Sequence, residues 1–174
     1  PPDGRIPFQP WAVEQRGEIM ARQDELEYLD PRVKCLPSAL PRAHLPVGYN
    51  TYQIEQIPGY VVMLYEWNHL YRYIPLDGRP HVNADIRLGM GDSRGHWEGD
   101  TLVVDTTNFL RETSFRGGVT TSDLHLRERF TRVSDGTLMY EVTTEDPNTW
   151  NRPWTYRIPM VKSESPLFEY ACHE

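Results

Sequence analysis

Residues 125–144 read His-Leu-Arg-Glu-Arg-Phe-Thr-Arg-Val-Ser-Asp-Gly-Thr-Leu-Met-Tyr-Glu-Val-Thr-Thr. Two runs of β-favouring residues flank Ser134-Asp135-Gly136, and Asp-Gly is a strong hairpin signal because the favoured tight turn needs positive φ at its central positions. A two-residue loop at Asp135-Gly136 pairs Val133 with Leu138, Thr131 with Tyr140, Arg129 with Val142 and Arg127 with Thr144. The opposite side then pairs Phe130 with Glu141 and Glu128 with Thr143. In this register both faces of the ribbon mix charge with apolar groups. A plain sandwich should separate core from solvent, so the mixture points to an interior holding Arg and Glu beside aromatics. The plainer alternative lays the long Arg side chains across an exposed face with their heads in water.

The same strand and turn pattern extends on both sides of this hairpin. Pro58-Gly59 separates strands at 52–57 and 60–66, Asp77-Gly78 ends a strand at 70–75, and Gly99-Asp100 joins 96–98 to 101–106. Residues 89–95, with three glycines, read as a loop, and strands at 154–160 and 167–172 complete the set. Pro75 and Pro159 fall where a missing amide is tolerated, at strand ends or edges. Short strands in local order favour an antiparallel meander closing into a small, calycin-like barrel. Upstream, residues 1–10 form a proline-bearing extended arm. One helix is expected over 11–29, with Ala12, Ile19 and Leu26 at seven-residue spacing. Prolines 31, 37, 41 and 46 make 30–51 an irregular wrap over the surface.

At 174 residues the chain fits one domain, 1–174, able to bury a real core. A net charge of -7 argues against a nucleic-acid groove, which needs a basic face. The longest apolar run, at 60–65, falls far short of the roughly 20 residues of a membrane helix, so no span is expected. The first residue is Pro1 rather than Met, which reads as the start of a processed or trimmed chain.

The densest set of functional side chains is Tyr65-Glu66-Trp67-Asn68-His69-Leu70-Tyr71-Arg72-Tyr73. A straight strand would put Tyr65, Trp67, His69, Tyr71 and Tyr73 on one face; a turn at Trp67-Asn68 would instead let Glu66 and His69 flank it. Either way Glu66 and His69 are the acid-base candidates, because imidazole titrates near neutrality and burial raises a carboxyl toward it. Arg72, Arg127 or Arg129 would stabilise an oxyanion, and Tyr71, Trp97, Tyr140 and Glu141 complete a ligand-binding set. The competing reading makes His69 a packing residue and Glu66 a partner of Arg72. His69, His81, His96, His125 and His173 lack the spacing of a metal pair, and no Gly-x-Ser-x-Gly, Walker or dinucleotide motif occurs. No metal and no cofactor are therefore expected. Cys35 and Cys172, near opposite ends, are either a disulfide of an oxidising compartment or two buried thiols.

Gly95-His96-Trp97-Glu98-Gly99-Asp100-Thr101-Leu102-Val103-Val104-Asp105-Thr106 resembles a motif of a large group of exported bacterial proteins to which no reaction is assigned. Supporting stretches are residues 32–36, Pro41-Arg42, Asp77-Gly78-Arg79-Pro80-His81, Glu128-Arg129-Phe130, Asp146-Pro147 and residues 169–174, so the resemblance spans most of 30–174. It implies a β-rich fold and a secreted or periplasmic location, which favours the Cys35–Cys172 bond, and it brings no catalytic residues with it. Here Ile86-Arg87-Leu88 precede Gly89-Met90-Gly91, where the group often has Pro and Trp. The expected function is binding of a small organic or sugar-like molecule, with cofactor-free lyase, isomerase or hydrolase chemistry as an extension. The alternative is an assembly protein that forms homo-oligomers through the 1–10 arm and exposed aromatics.

Overall fold

The computed structural model describes residues 3–45, 51–110 and 119–172. One helix, α1 (Pro10–Ala21), precedes eight strands: β1 (Tyr52–Ile57), β2 (Tyr60–Tyr65), β3 (Tyr71–Pro75), β4 (Asp92–Glu98), β5 (Thr101–Thr107), β6 (His125–Ser134), β7 (Thr137–Glu145) and β8 (Trp154–Val161). All pairings are antiparallel between sequence neighbours, which gives two meanders, β1-β2-β3 and β4-β5-β6-β7-β8. Among the described residues no ladder joins β3 to β4 or β1 to β8. The sheets face each other across one core containing Val61, Met63, Tyr65, Ile74, Leu102, Val104, Leu126, Phe130, Tyr140 and Val142.

The turns fall where the dipeptides put them. Gly59, Gly78 and Gly99 have φ of 81°, 73° and 59°, which an L side chain rarely adopts. Pro75 ends β3 and Pro159 lies in the edge strand β8. The loop expected over 89–95 is shorter, because β4 already begins at Asp92. The final strand expected over 167–172 is not formed; that segment makes one isolated bridge, Tyr170 with Trp67.

The β6-β7 register corrects the reading of the central hairpin. Ser134 faces Thr137 across the Asp135-Gly136 turn, but the ladder slips between Arg132 and Ser134, leaving Val133 as a bulge. Beyond it Phe130 faces Tyr140, Glu128 faces Val142 and Leu126 faces Thr144, while Arg129 faces Glu141 and Arg127 faces Thr143. A one-residue slip moves side chains to the other face. The inner face is therefore apolar apart from Glu128, Tyr140, Thr144 and, at the turn end, Arg132, while Arg127 and Arg129 line the outside. The mixture of charge and aromatics on both faces was a product of the unbulged register.

The helix is also shorter than expected. It ends at Ala21, and residues 22–29 continue as turns. Only Ala12 is buried in α1, so little tertiary contact sustains a longer helix. The preceding arm lies on its own chain: Gln9 N donates to Thr149 O at 2.8 Å, Asn151 N donates to Pro7 O at 2.8 Å, and Trp11 Nε1 donates to Asn148 O at 2.7 Å. The proline-rich stretch is irregular as expected, yet it does not stay on the surface. Ser38, Ala39, Leu40, Arg42, Ala43 and His44 are all buried, around a single 3-10 turn at Arg42–His44. Cys35 and Cys172 are disulfide-bonded, tying this segment to the C-terminal stretch. No helix among the described residues is long and apolar enough to cross a membrane.

Candidate functional site

Strand alternation decides which side chains enter the space between the sheets. Tyr65 of β2 and Arg72 of β3 point inward from the small sheet; Ser93 of β4, Thr106 of β5, Glu128 of β6 and Tyr140 of β7 meet them from the large one. Glu128 is 0% exposed. Arg72 reaches it with Nη2 at Oε2 and Nη1 at 3.3 Å from Oε1. Tyr140 Oη donates to Oε1 at 2.9 Å, and Thr106 Oγ1 to Oε2 at 3.4 Å. Arg72 also donates from Nε to Ser93 Oγ at 2.9 Å and from Nη2 to Thr106 Oγ1 at 2.8 Å. One side chain of the small sheet thus clamps three strands of the large one.

His44, delivered by the buried wrap, completes the cluster. Its Nδ1 lies 3.4 Å from Glu128 Oε1, and its Nε2 lies 2.7 Å from Tyr65 Oη. With the proton on Nδ1, Nε2 accepts the Tyr65 hydroxyl, while Nδ1 lies within reach of the Glu128 carboxylate without an aligned hydrogen bond to it. Tyr52, Tyr65, Phe130 and Tyr140 surround the imidazole with ring centroids 4.9 to 5.7 Å away.

Burial sets the electrostatics. Desolvation holds His44 below its ordinary value against the pull of Glu128, which keeps the imidazole neutral. Burial also pushes Glu128 up, but the Arg72 charge and His44 outweigh it and bring the carboxyl down to about 2. Tyr52, Tyr65, Tyr140 and Tyr156 are all raised, chiefly by burial, so they remain hydroxyl donors.

A cleft of about 1390 Å³ opens between the unpaired edges of β1 and β8. His44, Tyr52, Val61, Met63, Leu102, Phe130, Leu138, Ile158 and Met160 line its interior, while Trp97, Asp100, Arg132, Asp135 and Lys162 stand at its mouth. Ser163, Ser165 and Leu167 of the C-terminal stretch also border it.

Of the residues singled out in the sequence, Arg72 and Tyr140 meet in the buried cluster, and Trp97 lies at the cleft. The others lie apart from it. Asn68 and His69 have φ of 49° and 53°, and Leu70 N donates to Trp67 O at 3.1 Å, so the chain turns at this point. The exposed His69 imidazole pairs with Glu169 rather than Glu66, and half-buried Glu66 is engaged through its backbone with Thr51 and Tyr170. Tyr71 is 60% exposed beside Tyr73. Arg129 Nη1 donates to Glu98 Oε2 at 2.8 Å, Arg127 Nη2 lies 4.0 Å from Glu98 Oε1, and Glu141 pairs with Arg157 Nε at 2.7 Å, all on the outer face.

The sequence reading passed over His44, Tyr52 and Tyr65 as a group and placed Glu128 only as a ribbon residue. Leu126, Glu128 and Phe130 at alternate positions are the one local signal that Glu128 faces the core. On the outside, His81 bridges Asp92 at 2.9 Å and Asp105 at 3.2 Å, and His125 Nε2 meets Asp105 at 2.8 Å. Among the described residues no group of three or more His, Cys, Asp or Glu is arranged to hold a metal ion. The chain matches no protein-family model, no curated protein and no solved structure.

Proposed function

We propose that this chain is an exported protein that binds a small organic molecule between its two sheets, which serve as the walls of an incomplete barrel. The observation that carries the reading is the cleft itself: a largely apolar interior with His44 and Tyr52 at its inner end, backed by the buried Arg72–Glu128 pair. Ligand sites of this kind combine an apolar lining with a few fixed polar groups. A buried ion pair is weak evidence for stability, because hydrophobic residues of similar volume often serve as well or better. A role in holding His44 and Tyr65 at the end of a cleft gives the pair a reason to be there. Export is supported by the Cys35–Cys172 bond, which persists in oxidising compartments.

Titration with the uncharged fluorophore phenylnaphthylamine tests the reading. Emission should rise and saturate with wild-type protein, and Leu138→Trp, which fills the cleft, should abolish the rise without lowering Tm by more than a few degrees. Unchanged emission with the wild type would falsify the reading. The line Glu128, His44, Tyr65 favours a second role, proton transfer at His44. Nitrobenzisoxazole, which opens on loss of one proton, is the probe. Turnover lost in His44→Gln while phenylnaphthylamine still binds would support catalysis; no turnover above buffer would exclude it for this substrate.

A further inference from the structure

The charges around the cleft are balanced at both depths. Behind the cleft, the anion Glu128 is matched by the cation Arg72, and the pair is bonded further to Ser93, Thr106 and Tyr140. Neither side chain lines the cleft; His44 stands between them and it, and burial holds His44 neutral. The mouth carries two acids, Asp100 and Asp135, and two bases, Arg132 and Lys162, all exposed to screening by salt. A charged group entering the interior loses its hydration and finds no free countercharge there, because Glu128 and Arg72 are spent on each other; Asp100, Asp135, Arg132 and Lys162, which form no ion pair among the described residues, stand in solvent at the mouth.

One hydroxyl at the wall is poorly satisfied. Tyr52 Oη donates to the sulfur of Met160, a weak acceptor, and both residues line the cleft. Its proton is secure, because burial, with Glu128 behind it, raises the phenol. A carbonyl or ether oxygen on a ligand would replace the thioether at a gain, whereas a ligand lacking an acceptor would leave the Tyr52–Met160 contact as it is. Around it Phe130, Tyr52 and the His44 ring offer aromatic surface.

We infer that the cleft selects uncharged aromatic molecules bearing an acceptor oxygen, which Tyr52 reads, and rejects anionic or cationic analogues of the same shape. This rests on the ligand-binding reading above. Calorimetric titration of the intact, oxidised protein with acetylnaphthalene, ethylnaphthalene, naphthoate and naphthylmethylammonium tests it. Acetylnaphthalene should bind at least about tenfold more tightly than either ion, as expected when a charge is buried unpaired. Tyr52→Phe should weaken acetylnaphthalene by about fivefold, the worth of one hydrogen bond, and leave ethylnaphthalene unchanged. Naphthoate or the ammonium binding as tightly as the ketone overturns the charge selection while leaving ligand binding in place. An equal loss for both neutral compounds in Tyr52→Phe overturns the acceptor assignment. Should that variant fail to fold, the wild-type comparison of ketone with hydrocarbon decides: equal affinity overturns the assignment. If neither these four compounds nor phenylnaphthylamine binds, the ligand-binding reading falls and this inference with it.

Discussion

Glu128 and Arg72 are each nearly inaccessible to water, so each depends on the other. Removing one charge leaves its partner buried and uncompensated, a loss of about 3 to 5 kcal/mol. Glu128→Gln and Arg72→Met should each lower stability by this order in urea unfolding. The double variant Arg72→Met with Glu128→Leu should recover much of the loss, because two apolar side chains need no countercharge. Additive losses would mean that the pair is not coupled. The same residues set the response to acid. His44 titrates below its ordinary 6.5 in the native state, so the unfolded chain takes up a proton there that the folded chain refuses. Its contribution is complete above 6.5 and drains away as pH falls toward the depressed native value. Glu128, at about 2 against an ordinary 4.5, adds stability that is present above 4.5 and lost as pH falls to about 2. His125 works the other way: its hydrogen bond to Asp105 raises it, so its contribution is present below 6.5 and lost as pH rises through the raised value. His125 is partly exposed, and screening keeps that effect small. Tm measured against pH should therefore fall on acidification below 6.5 and fall further below 4.5. His44→Asn should flatten the first decline, and His125→Gln should leave that decline as it is and remove a slight loss of Tm as pH rises above 6.5.

Gly95 of β4 shows how closely the two sheets approach at the level of elements. A Cβ there would meet Ile74 Cγ2 at 2.7 Å and Leu76 Cδ2 at 2.9 Å. Ile74 is fully buried at the end of β3 and has no room to withdraw. Gly95→Val should cost about 1 to 3 kcal/mol in thermal or urea unfolding, as overpacking does; an unchanged Tm would mean that β3 and β4 are not pressed together. Most strands were legible because their turns rest on local chemistry, with glycine at positive φ after Pro58, Asp77 and Glu98; Asp135-Gly136 also falls between β6 and β7, but without the positive φ that a tight two-residue turn needs. The bulge at Val133 was not legible. A bulge residue near the right-handed helical region needs no glycine to mark it, and missing it turns both faces of β6 over. The sequence left a straight strand and a turn at Trp67-Asn68 both open; the turn forms one residue later, at Asn68-His69, two residue types that take positive φ more readily than most. The burial of His44 lay beyond local reading altogether. Prolines on both sides exclude regular structure there, but nothing in residues 30–45 announces that the segment passes between two sheets formed later in the chain.

At the scale of the molecule, the Cys35–Cys172 bond joins positions 137 residues apart. In the chain-entropy picture a closure of this length is worth about 4 to 5 kcal/mol. Replacing both cysteines with serine, or reducing the bond, should lower the urea midpoint accordingly; a midpoint that does not move would show that packing alone holds the ends. The C-terminal stretch that the bond secures runs beside the cleft, with Asn68 N donating to Tyr170 O at 2.9 Å and Tyr170 N to Glu66 O at 2.9 Å. Reduction should therefore weaken phenylnaphthylamine binding as well as stability. All eight strands lie between the two cysteines, so the bond makes a covalent ring that contains the whole of both sheets. A protease that cuts any one connection between strands opens this ring without releasing a fragment. The nicked protein would still migrate as a single species until a reductant separated its two pieces.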